Sequence, residues 1–354
     1  MQNKLTHIIG LMSGTSLDGV DLVYVSFNED NYSQFEIINT KTYPYEPLWK
    51  EKLQHAISLS NEALKVLNED YGILLGMLVA DFMSKNKITD VDFIASHGHT
   101  VFHQPEKGIT LQIGDGQKIA DITNVEVICD FRTQDVELGG QGAPLVPIGD
   151  ELLFEKYDYC LNLGGFANVS YNKKGERIAF DICPVNIVLN KYAKILGYDY
   201  DDKGKIASSG SYLKELDTDL KRLAYYEKLP PKSLGLEWVQ KEIFPRLELT
   251  KRKPEDLLRT YTEHAAWAIA KAFSLNAKVL VTGGGVFNDY LIERVKFYKK
   301  LEIVVPNKDL IEFKEALIFA FLGLLRKKGA ANCLKSVTGA SKNHSSGVFF
   351  YPNN

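Results

Sequence analysis

Glycines, hydroxyls and carboxylates crowd the stretch Gly10-Leu11-Met12-Ser13-Gly14-Thr15-Ser16-Leu17-Asp18-Gly19-Val20-Asp21. Small residues let backbone N–H groups approach an anion, Ser and Thr add donors, and Asp can hold a hydrated divalent cation. Taken alone, an ordinary hairpin with a Gly-rich turn explains the stretch equally well. Two more such loops follow, each after an apolar strand: Gly164-Gly165 with Asn168, and Gly283-Gly284-Gly285-Val286-Phe287-Asn288. The latter opens a helix, whose start favours anions. No Lys-Ser/Thr pair follows any of these glycines, which excludes a P-loop, and no dinucleotide or protein-kinase fingerprint is present. Together the three loops point to a nucleotide held in a cleft.

Other side chains could do chemistry on a second ligand. Asp181 stands at the exit of a strand, where a carboxylate can act as a general base; an Asp starting a turn before a helix is the plainer reading. Arg132 lies between Asp130 and Asp135 and either pairs with them or offers its planar fork to a substrate carboxylate. His97, His99 and His103 fall in one polar run. Alternate strand positions share a face, but neither Cys nor a carboxylate at ligand spacing accompanies them. Hydrogen bonding to a polar substrate and a purely structural loop are therefore both expected ahead of a metal site.

These residues need a scaffold. Residues 5 to 43 read as three strands and 47 to 86 as helix, with apolar residues recurring at spacings near three and four. Buried strands follow near Val91–Ala95 and Val125–Cys129. The pattern then restarts at Tyr159 with strand, small-residue turn, strand, turn, strand. This is a repeat of topology rather than of sequence. It suggests an α/β protein of two similar domains, 1–135 and 136–334, with about 335–354 packing back on the first as a surface closure. Glu315 lies near the start of the long apolar helix 311–328.

Composition narrows the class. The 354 residues suffice for two cores, and 45% hydrophobic with 25% charged residues is ordinary for a soluble protein. A net charge of −3 gives no basic excess for nucleic acid. Four cysteines without C-x-x-C spacing argue against a disulfide framework or a zinc-thiolate site and suit a reducing cytoplasm. No signal-peptide pattern and no apolar run of about 18 residues is seen, so neither export nor membrane insertion is expected.

The order Met12-Ser13-Gly14-Thr15-Ser16-Leu17-Asp18-Gly19-Val20-Asp21, Ser96-His97-Gly98, Leu111-Gln112-Ile113-Gly114-Asp115, Asp130-Phe131-Arg132, Gly139-Gly140-Gln141-Gly142-Ala143-Pro144, Leu163-Gly164-Gly165, Pro230-Pro231-Lys232-Ser233, Gly283-Gly284-Gly285 and Thr338-Gly339-Ala340 resembles the anhydro-N-acetylmuramic acid kinases along nearly the whole chain. The resemblance implies the actin-like ATPase (ribonuclease H-like) fold, two similar domains around a central nucleotide cleft. It implies ATP and Mg²⁺ as cofactors, and hydrolytic opening of 1,6-anhydro-N-acetylmuramic acid with phosphorylation of O6, a step of peptidoglycan recycling. Asp181 matches the family's catalytic Asp. Gly14, Thr15, Ser16, Leu17, Asp18, Gly19, Val20 and Asp21, with Gly164 and Gly165, would hold the phosphates, Asp18 and Asp21 carrying Mg²⁺ through water. Gly283, Gly284, Gly285 and Asn288 would border the adenosine. His97, Gln112, Asp115, Arg132, Asn186 and Glu315 would meet the sugar, Arg132 facing its lactyl carboxylate. The partner expected is thus a small anhydro-sugar, with neither nucleic acid nor membrane; a homodimer is left open.

Three positions depart from the family pattern. Thr-Gly-Pro-Gly-Asn after the catalytic Asp is Ile182-Cys183-Pro184-Val185-Asn186 here, so left-handed backbone at either glycine would strain Cys183 or Val185. An Arg is replaced by Leu236, and the Gln after Ser-His-Gly by His99. Two alternatives follow from these changes: a kinase of the same fold for another sugar, or a nucleotide-binding sensor or assembly protein without turnover. Retention of Asp181 favours an enzyme.

Overall fold

The computed structural model describes residues 4–14, 17–249 and 251–353. Thr15 and Ser16, expected at the phosphates, lie outside the described residues. The chain divides into two units, one holding residues up to Glu155 and from Phe313 onward, the other Lys156–Glu312. The returning segment is therefore longer than the 335–354 expected from sequence, and the first unit reaches 20 residues past 135.

In the first unit the strands are β1 (Leu5–Ser13), β2 (Gly19–Asn28), β3 (Phe35–Pro44), β4 (Phe93–Ser96), β5 (His99–Gln104), β6 (Ile109–Ile113) and β7 (Val127–Cys129). β1, β2 and β3 form an antiparallel meander, and β1 continues parallel into β4 and then β7. β5 and β6 make a separate two-stranded ribbon. One face is covered by the helix Asn61–Asn86, whose N-terminus is capped by Ser60 through its hydroxyl and the Ala63 amide. Ile9, Leu22, Tyr71, Leu75 and Phe82 are buried there.

In the second unit β8 (Tyr159–Leu163), β9 (Phe166–Lys173) and β10 (Glu176–Pro184) repeat the meander. β8 continues parallel into β11 (Lys278–Thr282) and β12 (Glu302–Val304). The sheet order 10-9-8-11-12 thus matches 3-2-1-4-7 in the first unit. This is the ribonuclease H-like strand order of actin-like ATPases, present twice, as the topological repeat predicts. The helix Pro254–Lys271 is buried along most of its length beside this sheet, with Leu258, Tyr261 and Ile269 in the core.

The C-terminal residues are not the surface closure predicted from their Gly/Ser content. The last strand, Val348–Phe350, pairs antiparallel with β7 and extends the first sheet. Asn332, Cys333, Thr338, His344 and Ser346 are buried on the way to it. Asn332 explains part of this, since its side chain donates to the Leu322 and Ser346 carbonyls and accepts from the Ser346 amide. Among the described residues no helix is long and apolar enough to cross a membrane.

The helix Lys308–Lys327 packs on the first sheet at close range. A Cβ on Gly10, in mid-β1, would stand 2.2 Å from the Ala316 carbonyl oxygen and 2.9 Å from the Ala320 Cβ. Both obstacles belong to the helix itself, so relief would require moving the element. Gly10→Ala is expected to cost at least about 2 kcal/mol, in the range of overpacked cores. The check is the urea midpoint, which should fall with little change in the slope of the transition.

Candidate active site

At the end of β1 the chain turns sharply. The Leu17 amide donates to the Gly14 carbonyl, and Leu17 takes a left-handed φ of 59°. A non-glycine residue held there is uncommon and marks a constrained turn. Asp18 beyond it is exposed, whereas Gly19 and Val20 are buried in β2. Asp21 accepts a hydrogen bond from Thr42 on β3 at 2.6 Å. The hairpin therefore presents one exposed and one anchored carboxylate.

His97 and His99 do not share a strand face. Gly98, with φ +73°, separates the end of β4 from the start of β5 and sends them to different partners. Arg132 donates from Nε and Nη2 to His97 Nε2 at 3.0 and 2.9 Å. Because guanidinium only donates, the His97 proton must sit on Nδ1, which lies 2.8 Å from the Gly98 carbonyl. Burial and the adjacent Arg132 hold His97 well below the ordinary histidine pKa, so it is neutral. Arg132 also donates from Nη1 to the Gly142 carbonyl at 2.6 Å, which explains why the Gly139–Pro144 loop must pass there. Burial pulls the Arg132 pKa down and the nearby Glu315 opposes it. Glu315 itself is pushed up by loss of solvation, with Arg132 and Lys314 opposing.

Gln112 donates to Thr110 and Thr100 at 2.9 and 3.3 Å. Asp115 turns out to be a helix cap. One carboxylate oxygen accepts from the Gln117 and Lys118 amides, and the other faces the Asn68 amide group. His103 lies 3.3 Å from Thr110 Oγ1 on the ribbon.

His99 occupies a buried polar chain that its sequence did not disclose. Its Nδ1 is 3.1 Å from Ser13 Oγ, which is 2.6 Å from Tyr45 Oη, which in turn bonds to Tyr71 Oη. The residue thus ties the end of β1 to the ribbon and to the helix Asn61–Asn86.

In the second unit a β-bulge between Asp181 and Cys183 breaks the register of β10 against β9. Bulges re-aim side chains. Asp181 Oδ2 accepts from the Leu234 amide at 2.9 Å, its carbonyl accepts from Tyr225 Oη at 2.6 Å, and its amide donates to the Lys232 carbonyl. Tyr225, Lys232 and Leu234 are holders that sequence reasoning missed; the Pro230-Pro231-Lys232 run was the available signal. Burial raises the Asp181 pKa above the usual carboxylate range, against the Leu234 hydrogen bond. A raised pKa makes a better base.

The altered residues after Asp181 do not need the left-handed backbone that glycine would allow. Val185 has φ −130°, and Cys183 is not among the residues with positive φ. Both side chains are fully buried in the second core. The amides of Val185 and Ile187 donate to the Gly165 carbonyl, and that of Asn186 to Gly164. The small-residue turn between β8 and β9 is thereby locked to the start of the helix Asn186–Ile195.

Gly283, φ +82°, brings the third loop against that same turn. A Cβ there would lie 2.6 Å from Asn162 Oδ1 and 2.8 Å from the Leu163 carbonyl. Beside it opens a cavity of ≈ 950 Å³ lined by Gly284, Gly285, Asn288, Asn186, Tyr200 and Lys203, among others. Asn186, placed with the sugar residues by its sequence, lies here with the adenosine candidates. Asn288 caps the helix Asp289–Tyr298 through the Leu291 amide. The cavity's volume is in the range of small-molecule sites.

The profile of the anhydro-N-acetylmuramic acid kinases matches residues 6–352. The chain belongs to this family. An anhydro-N-acetylmuramic acid kinase of Aliivibrio fischeri is 36% identical over 98% of this chain and 99% of its own length. One from Acinetobacter baylyi is 34% identical over 94% and 96%, and one from Bacillus cereus 33% over 98% and 99%. Among solved structures, an activator of 2-hydroxyisocaproyl-CoA dehydratase from Clostridium difficile is 13% identical with a TM-score of 0.43, covering 91% of this chain and 97% of that one. As a member of this kinase family the chain is an enzyme that uses ATP.

The His99 site makes stability depend on pH. Burial lowers its pKa to about 4 in the fold, against about 6.5 in an unfolded chain. Below about 6.5 the unfolded state takes up a proton that the folded state refuses. The stabilisation is complete above about 6.5 and falls by about 3 kcal/mol as pH drops toward about 4. Urea titrations across that range should show the loss, and His99→Gln should show a shallower slope.

Proposed function

We propose that the chain catalyses the family reaction on 1,6-anhydro-N-acetylmuramic acid, with Asp181 as the base. Water adds to C1 while the sugar O6 attacks the γ-phosphorus of ATP. The C1–O6 bond breaks, a proton passes to Asp181, ADP leaves, and N-acetylmuramic acid 6-phosphate forms. The observation that carries this reading is Asp181: its carboxyl has a raised pKa and is aimed by a bulge and three holding contacts from the 225–234 segment. Water is a poor nucleophile until a positioned group takes its proton.

The remaining roles follow from the side chains present. Asp18 and Asp21 are carboxylates of the kind that retain Mg²⁺ through water, one exposed and one anchored by Thr42. When bound, the ion supplies neutralisation of the phosphoryl charge. Gly14, Leu17, Gly164 and Gly165 offer backbone to phosphates, and Gly284, Gly285, Asn288 and Asn186 line the cavity for adenosine. Arg132 receives the lactyl carboxylate. Its neutral partner His97 fixes the fork without cancelling its charge. Gln112 and Glu315 meet the remaining polar groups of the sugar. The product enters peptidoglycan recycling.

Incubation with Mg-ATP and the anhydro-sugar should yield the 6-phosphate by mass spectrometry; no product with ATP still bound would reject the substrate. Asp181→Asn should lower kcat by roughly 10²–10⁴ and leave ATP binding intact. In the native enzyme, kcat/KM should fall toward acid with a midpoint above the ordinary carboxylate pKa, because only the deprotonated base works. Arg132→Ala should raise KM more for the acid sugar than for an analogue lacking the lactyl carboxylate; equal changes would reject that pairing.

A further inference from the structure

Asp135, Cys333 and His344 converge at a buried point in the first unit, their ligand atoms all within 4.8 Å of one another. They come from distant parts of the sequence, and none is used in the reaction proposed above. Asp135 is 0%, Cys333 1% and His344 6% exposed. His344 Nδ1 lies 3.2 Å from the Lys342 carbonyl, which can only accept, so Nδ1 carries the proton. The lone pair of Nε2 then faces inward. That atom is buried, has no hydrogen-bond partner among the described residues, and lies 3.5 Å from Asp135 Oδ1. A lone pair aimed at a carboxylate is repulsive unless a cation sits between them. Cys333 Sγ completes the cluster; it lies 3.9 Å from the Phe131 carbonyl, to which the thiol donates.

We infer that Asp135, Cys333 and His344 form a structural site for a zinc-class divalent transition metal. Thiolate, imidazole and carboxylate are a zinc donor set, with one position left for water; a thiolate excludes Mg²⁺ and Ca²⁺ as natural occupants. The charges balance, since thiolate and carboxylate neutralise the ion and the thiol proton leaves to solvent on binding. The outer shell is also in place. Metal-bound histidines usually donate their other N–H to a carbonyl or carboxylate, as His344 does to Lys342. Asp135 is fixed by Thr338 Oγ1 at 2.8 Å and by the Gly142 amide at 2.7 Å. The site joins the C-terminal segment to the Arg132–Gly142 loop, and Gly142 is the residue whose carbonyl receives Arg132. The competing cation is a proton, which would make His344 an imidazolium paired with Asp135.

Elemental analysis of protein produced in zinc-supplemented medium separates the two. The expected result is one zinc per chain, with content reduced at least about tenfold in Cys333→Ser and in His344→Gln. Cobalt added to metal-free native protein should give a thiolate-to-cobalt charge-transfer band, a readout that needs no variant to fold. Chelation should lower the Tm of the native protein and leave that of folded variants unmoved. A native protein that carries no zinc and shows no cobalt–thiolate band overturns the proposal. So does zinc retained equally in both variants.

Discussion

The first unit depends on a contact made possible by a missing side chain. Gly10 lets the helix Lys308–Lys327 bring its backbone against the middle of β1, closer than any Cβ would allow. The contact falls at Ala316, so it fixes the adjacent residue as well. Glu315 is thereby held where it interacts with both Arg132 and Asp21. These groups come from three separate parts of the chain. Close packing does not tolerate small shifts, so one helix-on-strand contact sets the electrostatics of a site made by several loops.

Each unit solves the same problem in its own way. Both have a meander whose first turn is built from small residues, and in both that turn must be kept open. In the first unit the constraint is the left-handed Leu17 and the buried chain from Ser13 to Tyr71. In the second, the carbonyls of Gly164 and Gly165 are tied to the amides after Pro184. That tie explains why the chain tolerates Cys183 and Val185 in place of smaller residues. Their side chains are buried in the core, and neither residue takes a positive φ.

Periodicity and turn chemistry made much of this legible in the sequence. The two meanders and the helical character before β4 follow from patterns of period two and near 3.6, although the helix expected over 47–86 is two, Pro47–His55 and Asn61–Asn86. Less legible were functions set by contacts between distant residues. Asp115 looks like a polar loop residue and is a cap. His97 and His99 look like a pair, yet one glycine sends them to separate networks. Asn186 follows the catalytic-site segment in sequence and lines the cavity beside Gly285. The C-terminal segment was misread because its small residues suggest surface; Asn332 instead satisfies buried backbone there. Cysteine spacing could not suggest the site proposed at Asp135, Cys333 and His344, because only the fold brings those residues together.

The pairing of Val348–Phe350 with β7 bears on the order of events during synthesis. The second unit, Lys156–Glu312, is continuous and emerges complete while the first still lacks a helix and an edge strand. Domains ordinarily fold in the order they leave the ribosome. Here the earlier segment must wait, with the Gly10 face of β1 uncovered, until more than 150 further residues have been made. The part translated first is the part finished last.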